Sequence, residues 1–455
     1  MSELLENQPE DLRVNTGYKD ILKMALPITL AMLVPQINFL TNSIFLSGLG
    51  EHSLASAGLA GVYYLIFAVI GSGLSNGTQV LFARKAGENK HEGIGALFYN
   101  GSWVAVAFSA AGIIITYTFG PDILRATVHD SATAETVITF LKIRIWGLPF
   151  LYLYGLRNSL LVGTGKTKLL MWGTFTEALA NIFLDYTLIY GKLGFPELGF
   201  NGAAIASIIA ECAGLAVVIF VIRLNKLNLQ FSMKESRIAD FAVMRTIIFQ
   251  STPLILQYAI SIITWEYFYI LIEHHGSRAL AVSNAMRNTF GISGIFAWAF
   301  AATTNTMVSN LIGQKRQDEV VPLIHRIVLI SLACCIPLIG LLNLKPEIFL
   351  SFYGLGQDFI DYAIPVVRVV SVALALMSFS CIWLNAVVGT GKTVVNLVIE
   401  IITIIVYIIY NYVVLEVLFM SVAWGWASEI VYWICMFTMA YFYIRSGKWK
   451  KNEAL

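Results

Sequence analysis

Val162-Gly-Thr-Gly-Lys-Thr167 returns unchanged as Val388-Gly-Thr-Gly-Lys-Thr393, 226 positions further along the chain. The same shift carries Pro27 onto Pro253, Gly50 onto Gly276, Thr78 onto Thr304, Gly87 onto Gly313 and Tyr186 onto Tyr412. Chance gives an apolar chain scattered identities, but not a six-residue block with Pro and Gly aligned at its element edges. The chain is a tandem duplication, and a long internal repeat is read before any local signal. In membrane proteins such repeats commonly enclose the working site between them.

Of 455 residues, 57% are hydrophobic and only 13% are charged, with a mean hydropathy of +0.73. A soluble domain of this length is not so apolar, so the expected surrounding is a lipid bilayer. Apolar runs long enough to cross about 30 Å of hydrocarbon fall at 20–48, 54–83, 92–119, 136–162, 169–191 and 201–223. The second half repeats the series at 246–273, 279–312, 320–343, 361–388, 394–417 and 421–444. The expected fold is an all-α membrane protein with twelve transmembrane helices in two six-helix lobes, related by a pseudo-two-fold axis along the membrane normal. The lobes are expected at 1–223 and 246–455, with 224–245 as a cytoplasmic link.

Charge sets the expected orientation. With the N-terminus inside, inner segments hold about twenty of the 30 Lys and Arg, and the outer loops hold only Arg125, Lys192, Arg278 and Lys345. That bias places both termini in the cytoplasm of a multi-pass protein of the cell (inner or plasma) membrane. Residues 1–16 are polar and acid-rich, so no cleavable signal peptide is expected. The five cysteines lie singly or side by side in apolar runs and read as small buried hydrophobes.

Several signals look chemical and are not. The repeated GTGKT lacks the glycine that a phosphate loop needs five residues earlier, where Leu160 and Ala386 stand, and no strand precedes either copy. Glu273-His274-His275 lacks a third ligand nearby in sequence and reads as a solvated loop. No clustered nucleophile or metal set is found, so neither an enzyme, nor a cofactor, nor a nucleic-acid partner, nor an obligate protein partner is expected.

Carboxylates inside apolar runs cost about 2.5–3.5 kcal/mol each at mid-helix on insertion scales. Here they are Glu177, Asp185, Glu211, Glu266, Glu400 and Glu429. Glu177, Asn181 and Asp185 stand at i, i+4 and i+8 on one face of the fifth span. Asn38 and Asn42 form a similar pair in the first. If the two faces meet, one acid and three amide oxygens converge. That set suits a hard cation such as Na⁺ or a proton carried on Asp185. The repeat singles out Asp185, because the shift puts Tyr407 at the Asn181 position and Asn411 at the Asp185 position. Glu266 lies in the aromatic stretch Trp265-Glu-Tyr-Phe-Tyr269, where it reads as either an organic-cation site or a member of an interfacial belt. Arg287 is a candidate partner for it. Glu211, Glu400 and Glu429 join no constellation legible in the sequence.

Over nearly its whole length the chain resembles the multidrug and toxic compound extrusion (MATE) family. The resemblance is carried by Ala25-Leu-Pro27, Asn42-Ser-Ile-Phe45 and Gly48-Leu-Gly50, by Gly147-Leu-Pro149 leading to Gly163-Thr-Gly165, and by Asn181-Ile-Phe-Leu-Asp185 followed by Gly202-Ala-Ala-Ile-Ala-Ser207. It implies cation-coupled export, driven by Na⁺ or H⁺, of small amphipathic and often cationic drugs or metabolites by alternating access. It further implies a coupling-cation site at Asn181 and Asp185, with Ser207 as a nearby hydroxyl and Pro27 as a bending point of the first helix. The family commonly has Asp where this chain has Asn42, and Asn38 stands four residues before it. Glu266 matches an acid of one subgroup, whose accompanying Asp falls here on Met377, and Arg287 stands where the family is usually apolar. The alternative is a flippase for lipids or lipid-linked oligosaccharides with related architecture. A headgroup-translocation assay separates the two.

Overall fold

The computed structural model describes residues 10–351, 353, 354 and 356–451. Among them it is all-α, with twelve long helices that form a multi-pass membrane protein. The first six are α1 (Tyr18–Ser47), α2 (Glu51–Gly87), α3 (His91–Thr118), α4 (Ser131–Gly163, through a 3₁₀ turn at Ile145–Gly147), α5 (Leu170–Tyr190) and α6 (Gly199–Leu224). The second six are α7 (Phe241–Glu273), α8 (Ser277–Gly313), α9 (Val320–Leu344), α10 (Gln357–Gly389), α11 (Thr393–Asn411) and α12 (Val422–Arg445). Ten are long and apolar enough to cross a membrane. The other two, α5 and α8, have the length, since 21 and 37 residues at 1.5 Å each exceed the hydrocarbon thickness. What they lack is apolarity. The acids of α5 and the run Thr303-Thr-Asn-Thr306 of α8 lower their hydropathy.

The duplication is written into the backbone. α2 and α8 have the same 37-residue length and begin and end 226 residues apart. Each follows a glycine, Gly50 with φ 97° and Gly276 with φ 95°, in a region that L side chains avoid. Asn89 (φ 56°) and Lys315 (φ 62°) repeat a left-handed residue after both helices.

The hexapeptide that exposed the repeat has a packing reason. A Cβ on Gly163 would stand 2.6 Å from Phe82 Cβ and 3.0 Å from the Gln79 carbonyl, so α4 and α2 touch backbone to backbone. A Cβ on Gly389 would stand 2.7 Å from the Asn305 carbonyl and 2.9 Å from Val308 Cβ. Asn305 and Val308 are the shifted equivalents of Gln79 and Phe82. The glycines therefore serve helix contact, and the flanking Thr164, Thr167, Thr390 and Thr393 are buried with them.

By contact the chain divides into two units. The first holds Leu30–Ile255 with the described part of Met1–Arg13, and the second holds Val14–Thr29 with Leu256–Leu455. The segment after α6 packs within the first unit. Asn100 of α3 donates to the Ile238 carbonyl at 3.2 Å and accepts from the Asp240 amide at 2.8 Å, and Phe231 is fully buried. Pro27 and Pro253 lie inside the helices α1 and α7, each two residues before the chain passes between units. The second unit is built around Phe268, Phe290, Met377, Tyr407 and Trp426. In the first unit, separate clusters form around Val137 and Leu141 and around Leu46, Ile189 and Ala203.

Candidate functional site

The C-terminal turns of α1 and α5 are clamped together. Tyr190 Oη donates to the Phe45 carbonyl at 2.6 Å, and the Phe45 ring lies 6.4 Å from that of Tyr186 and 6.1 Å from that of Tyr190. Leu46 packs with Ile189 and Ala203 of α6 beside them. As two odd-numbered spans, α1 and α5 run in the same direction. Asn42 precedes Phe45 by three residues and Asp185 precedes Tyr190 by five, so they lie about 0.8 and about 1.4 turns below the clamp. Asn38 and Asn181 follow one turn deeper.

These four side chains share one state. Asp185 is 1% exposed and Asn181 7% exposed. Neither carboxylate oxygen of Asp185 has a hydrogen-bond partner, and Asn181 Nδ2, Asn42 Oδ1 and Asn38 Oδ1 are buried without one as well. A buried orphan costs about 1–3 kcal/mol, and native proteins keep few. Here five orphan atoms fall on two helices at matching depth, and four of them are oxygens. No charged neighbour acts on Asp185. An acid with both oxygens unpartnered is chemically able to take up a hard cation or a proton, and the amide oxygens of Asn38 and Asn42 are unpartnered on α1 at similar depth. Ser207 is half-buried on α6, one turn beyond Ala203, with no hydrogen bond to the four. Pro27 is buried within an uninterrupted α1.

Glu177 belongs to a different set from Asp185. It packs against Gly214 and is acted on by Arg144, Glu211 and Tyr154. Arg144 of α4 forms a two-pronged bond to Glu211 of α6, with Nη2–Oε1 at 2.5 Å and Nη1–Oε2 at 3.1 Å, and its guanidinium lies 4.1 Å from the Tyr64 ring centroid. Gly147 makes room for this pair, since a Cβ there would collide with both Arg144 Nη1 and Glu211 Oε2. The sequence offers Glu211 no constellation. The available signal was Arg144 inside the fourth apolar run, but its partner lies 67 residues away.

In the second unit Trp265 and Glu266 point apart. Trp265 packs on the core, edge-on to Tyr269 with centroids 5.7 Å apart, and its indole approaches Glu429. Glu266 is exposed. Arg287 is exposed too, and lies 5.3 Å over the Tyr269 ring rather than in an ion pair with Glu266. His274 and His275 are engaged at the end of α11. His274 Nδ1 lies 2.5 Å from Glu416 Oε1, and His275 Nε2 lies 3.0 Å from the Leu415 carbonyl, beside the π turn Tyr412–Val417. Met377 is buried in the core.

Glu400 and Glu429, which join no motif in the sequence, are surrounded by hydrogen-bond donors. Glu400 of α11 accepts from Gln257 Nε2 (3.1 Å) and Ser261 Oγ (2.6 Å) of α7, and from Tyr432 Oη (2.5 Å) of α12. Asn396 donates to Gln257 in turn. Glu429 of α12 accepts from Tyr407 Oη of α11 at 3.2 Å.

Comparison with known proteins follows the same duplication. The sequence profile of a family described as MatE matches residues 27–187 and again residues 253–413, two stretches 226 residues apart. A probable multidrug resistance protein NorM from Thermotoga maritima is 22% identical over 447 residues, covering 96% of this chain and 94% of that protein. A probable NorM from Synechocystis sp. is 29% identical over 224 residues, covering 48% and 47% of the two chains. Among solved structures, a MATE protein in a straight conformation superposes with a TM-score of 0.87 at 20% identity, over 97% of this chain and 98% of that one. A transporter of the MOP superfamily from Pyrococcus furiosus Vc1, described as having a binding pocket of reverse polarity, gives a TM-score of 0.86 at 18% identity, over 97% and 98%.

Proposed function

Because the chain belongs to the MatE family, matched in both of its halves, we propose that it is a secondary antiporter that expels small amphipathic, often cationic drugs or metabolites in exchange for Na⁺ or H⁺. The relatives named as multidrug resistance proteins support the substrate class. The observation that carries the coupling role is Asp185, an acid buried in the first unit with both carboxylate oxygens unpartnered and amide oxygens of α1 and α5 at its depth. The coupling ion binds there, and Asn181, Asn42 and Asn38 supply oxygens. Ion uptake reshapes α1 and changes the side to which substrate is open. Coupling requires the ion to prefer one of the two states, because equal affinity for both shifts nothing.

The membrane is the cell membrane and both termini are cytoplasmic, a reading supported by the Lys and Arg bias between alternate loops. Efflux of a cationic dye from proteoliposomes, driven separately by Na⁺ and by H⁺ gradients, tests the proposal. Wild-type protein is expected to respond to one gradient, and Asp185→Asn to lose that response. Ion-driven efflux that persists in Asp185→Asn overturns the assignment.

A further inference from the structure

α11 and α12 face each other with two acid–tyrosine pairs of opposite sense. α11 presents Glu400 and Tyr407, two turns apart, and α12 presents Glu429 and Tyr432, one turn apart. Tyr432 of α12 donates to Glu400 of α11, and Tyr407 of α11 donates to Glu429 of α12. The two phenol rings meet edge to face, with centroids 5.7 Å apart. Glu400 is 1% exposed and Glu429 is 5% exposed. No cation is among the groups acting on either.

The repeat gives the location its meaning. Tyr407 occupies the position of Asn181, and Glu429 the position of Ala203, which packs beside the clamp over Asp185. The second unit therefore has an acid in the region equivalent to the first unit's site, moved from the fifth helix of the repeat to the sixth.

We infer that Glu400 and Glu429, joined through Tyr432 and Tyr407, form a proton-binding site of the second unit, distinct from Glu266. The polar groups around Glu400 are already directed at its carboxylate as donors, which suits a proton better than a metal ion. Gln257 Nε2, Ser261 Oγ and Tyr432 Oη all turn hydrogens toward the carboxylate, whereas Na⁺ needs lone pairs. The network also contains one acceptor without a donor. Asn396, one turn before Glu400 and fully buried, commits Nδ2 to Gln257 and leaves Oδ1 unpartnered. A proton on Glu400 converts the carboxylate to a carboxylic acid and supplies one more O–H donor to this set. The charge changes by one, and no other bond is made or broken.

The titratable groups facing the pair are Cys381 from α10, Tyr407 from α11, Tyr432 from α12, and Tyr269 from α7 on the Glu429 side. From α8, Arg287 reaches the Tyr269 ring but remains exposed. The inference does not depend on the role of Asp185.

Infrared titration of the full-length protein in lipid nanodiscs tests it, with the C=O band of protonated carboxyls as the readout and Asp185→Asn as the background. A pH-dependent band is expected to remain in that background and to lose intensity in Glu400→Gln and in Glu429→Gln. Tyr432→Phe, which keeps the ring and removes one donor from Glu400, is expected to shift the midpoint without removing the band. It also decides the case if a Gln variant does not fold. A band that both Gln variants leave unchanged, a midpoint indifferent to Tyr432→Phe, or a response to Na⁺ at constant pH overturns the proposal. Since Asp185 is absent throughout, failure here leaves the transport assignment standing, and failure of that assignment leaves this one standing.

Discussion

Asp185 and Asn411 occupy the same place in the two repeats and their surroundings differ, although Asn411 Oδ1 is also buried without a partner. Asp185 is buried with both carboxylate oxygens unpartnered. Asn411 folds back on its own helix, donating to the Tyr407 carbonyl at 3.1 Å. The first unit leaves Asp185 without donors, and its Arg144–Glu211 pair stands apart from it. The second unit surrounds its acids with neutral donors. Duplication supplied one scaffold twice, and the side chains then left Asp185 in one copy without partners and gave the buried acids of the other copy neutral donors.

The largest effect expected from breaking this contrast is at Arg144. Arg144→Ala strands Glu211 as a buried charge, and thermal unfolding should report a loss of about 3–5 kcal/mol. Replacing both partners with apolar residues of similar size should be nearly neutral by the same measurement.

Asp185→Asn gives the first unit the residue of the second. Its expected cost is the coupling energy of about 1–3 kcal/mol, or roughly 5- to 150-fold in the dependence of dye efflux on the driving ion. Asn411→Asp, the reverse exchange, should not restore it.

Gly163→Ala and Gly389→Ala test whether the scaffold itself remained symmetric. Each should destabilise by about 1–3 kcal/mol through overpacking, and similar values in thermal unfolding would show that both helix contacts matter equally. The smallest effect is expected from Tyr432→Phe, about 0.5–1.5 kcal/mol for one hydrogen bond removed, read from the same unfolding curves.

The architecture was legible because it rests on periodic and local properties. Apolar runs marked all twelve helices with ends within six residues of those observed, although α5 and α8 fall short of the apolarity of the other ten, and the repeat paired them through Pro27/Pro253 and Gly50/Gly276. The i, i+4 spacing put Asn181 and Asp185 on one face of α5, and Asn38 and Asn42 on one face of α1. Which acids find partners was not legible, because partners are set by tertiary packing. Arg144 and Glu211 are 67 residues apart, and Gln257 and Glu400 are 143 apart. Glu177 shares its helix with Asp185 yet lies among the groups around Arg144. Glu266 and Trp265 are neighbours in sequence, but consecutive residues on a helix face different ways. Only Trp265 reaches the core.

The chain passes from one unit to the other after Thr29 and again after Ile255. In each repeat the opening stretch of the first helix is grouped with the other repeat's body, and the two crossover points are 226 residues apart. Exchange of the same element between two copies is what domain swapping produces. The grouping of the two leading half-helices has the form of such an exchange between repeats. A single repeat expressed alone would accordingly emerge missing a part that only a sibling copy can lend.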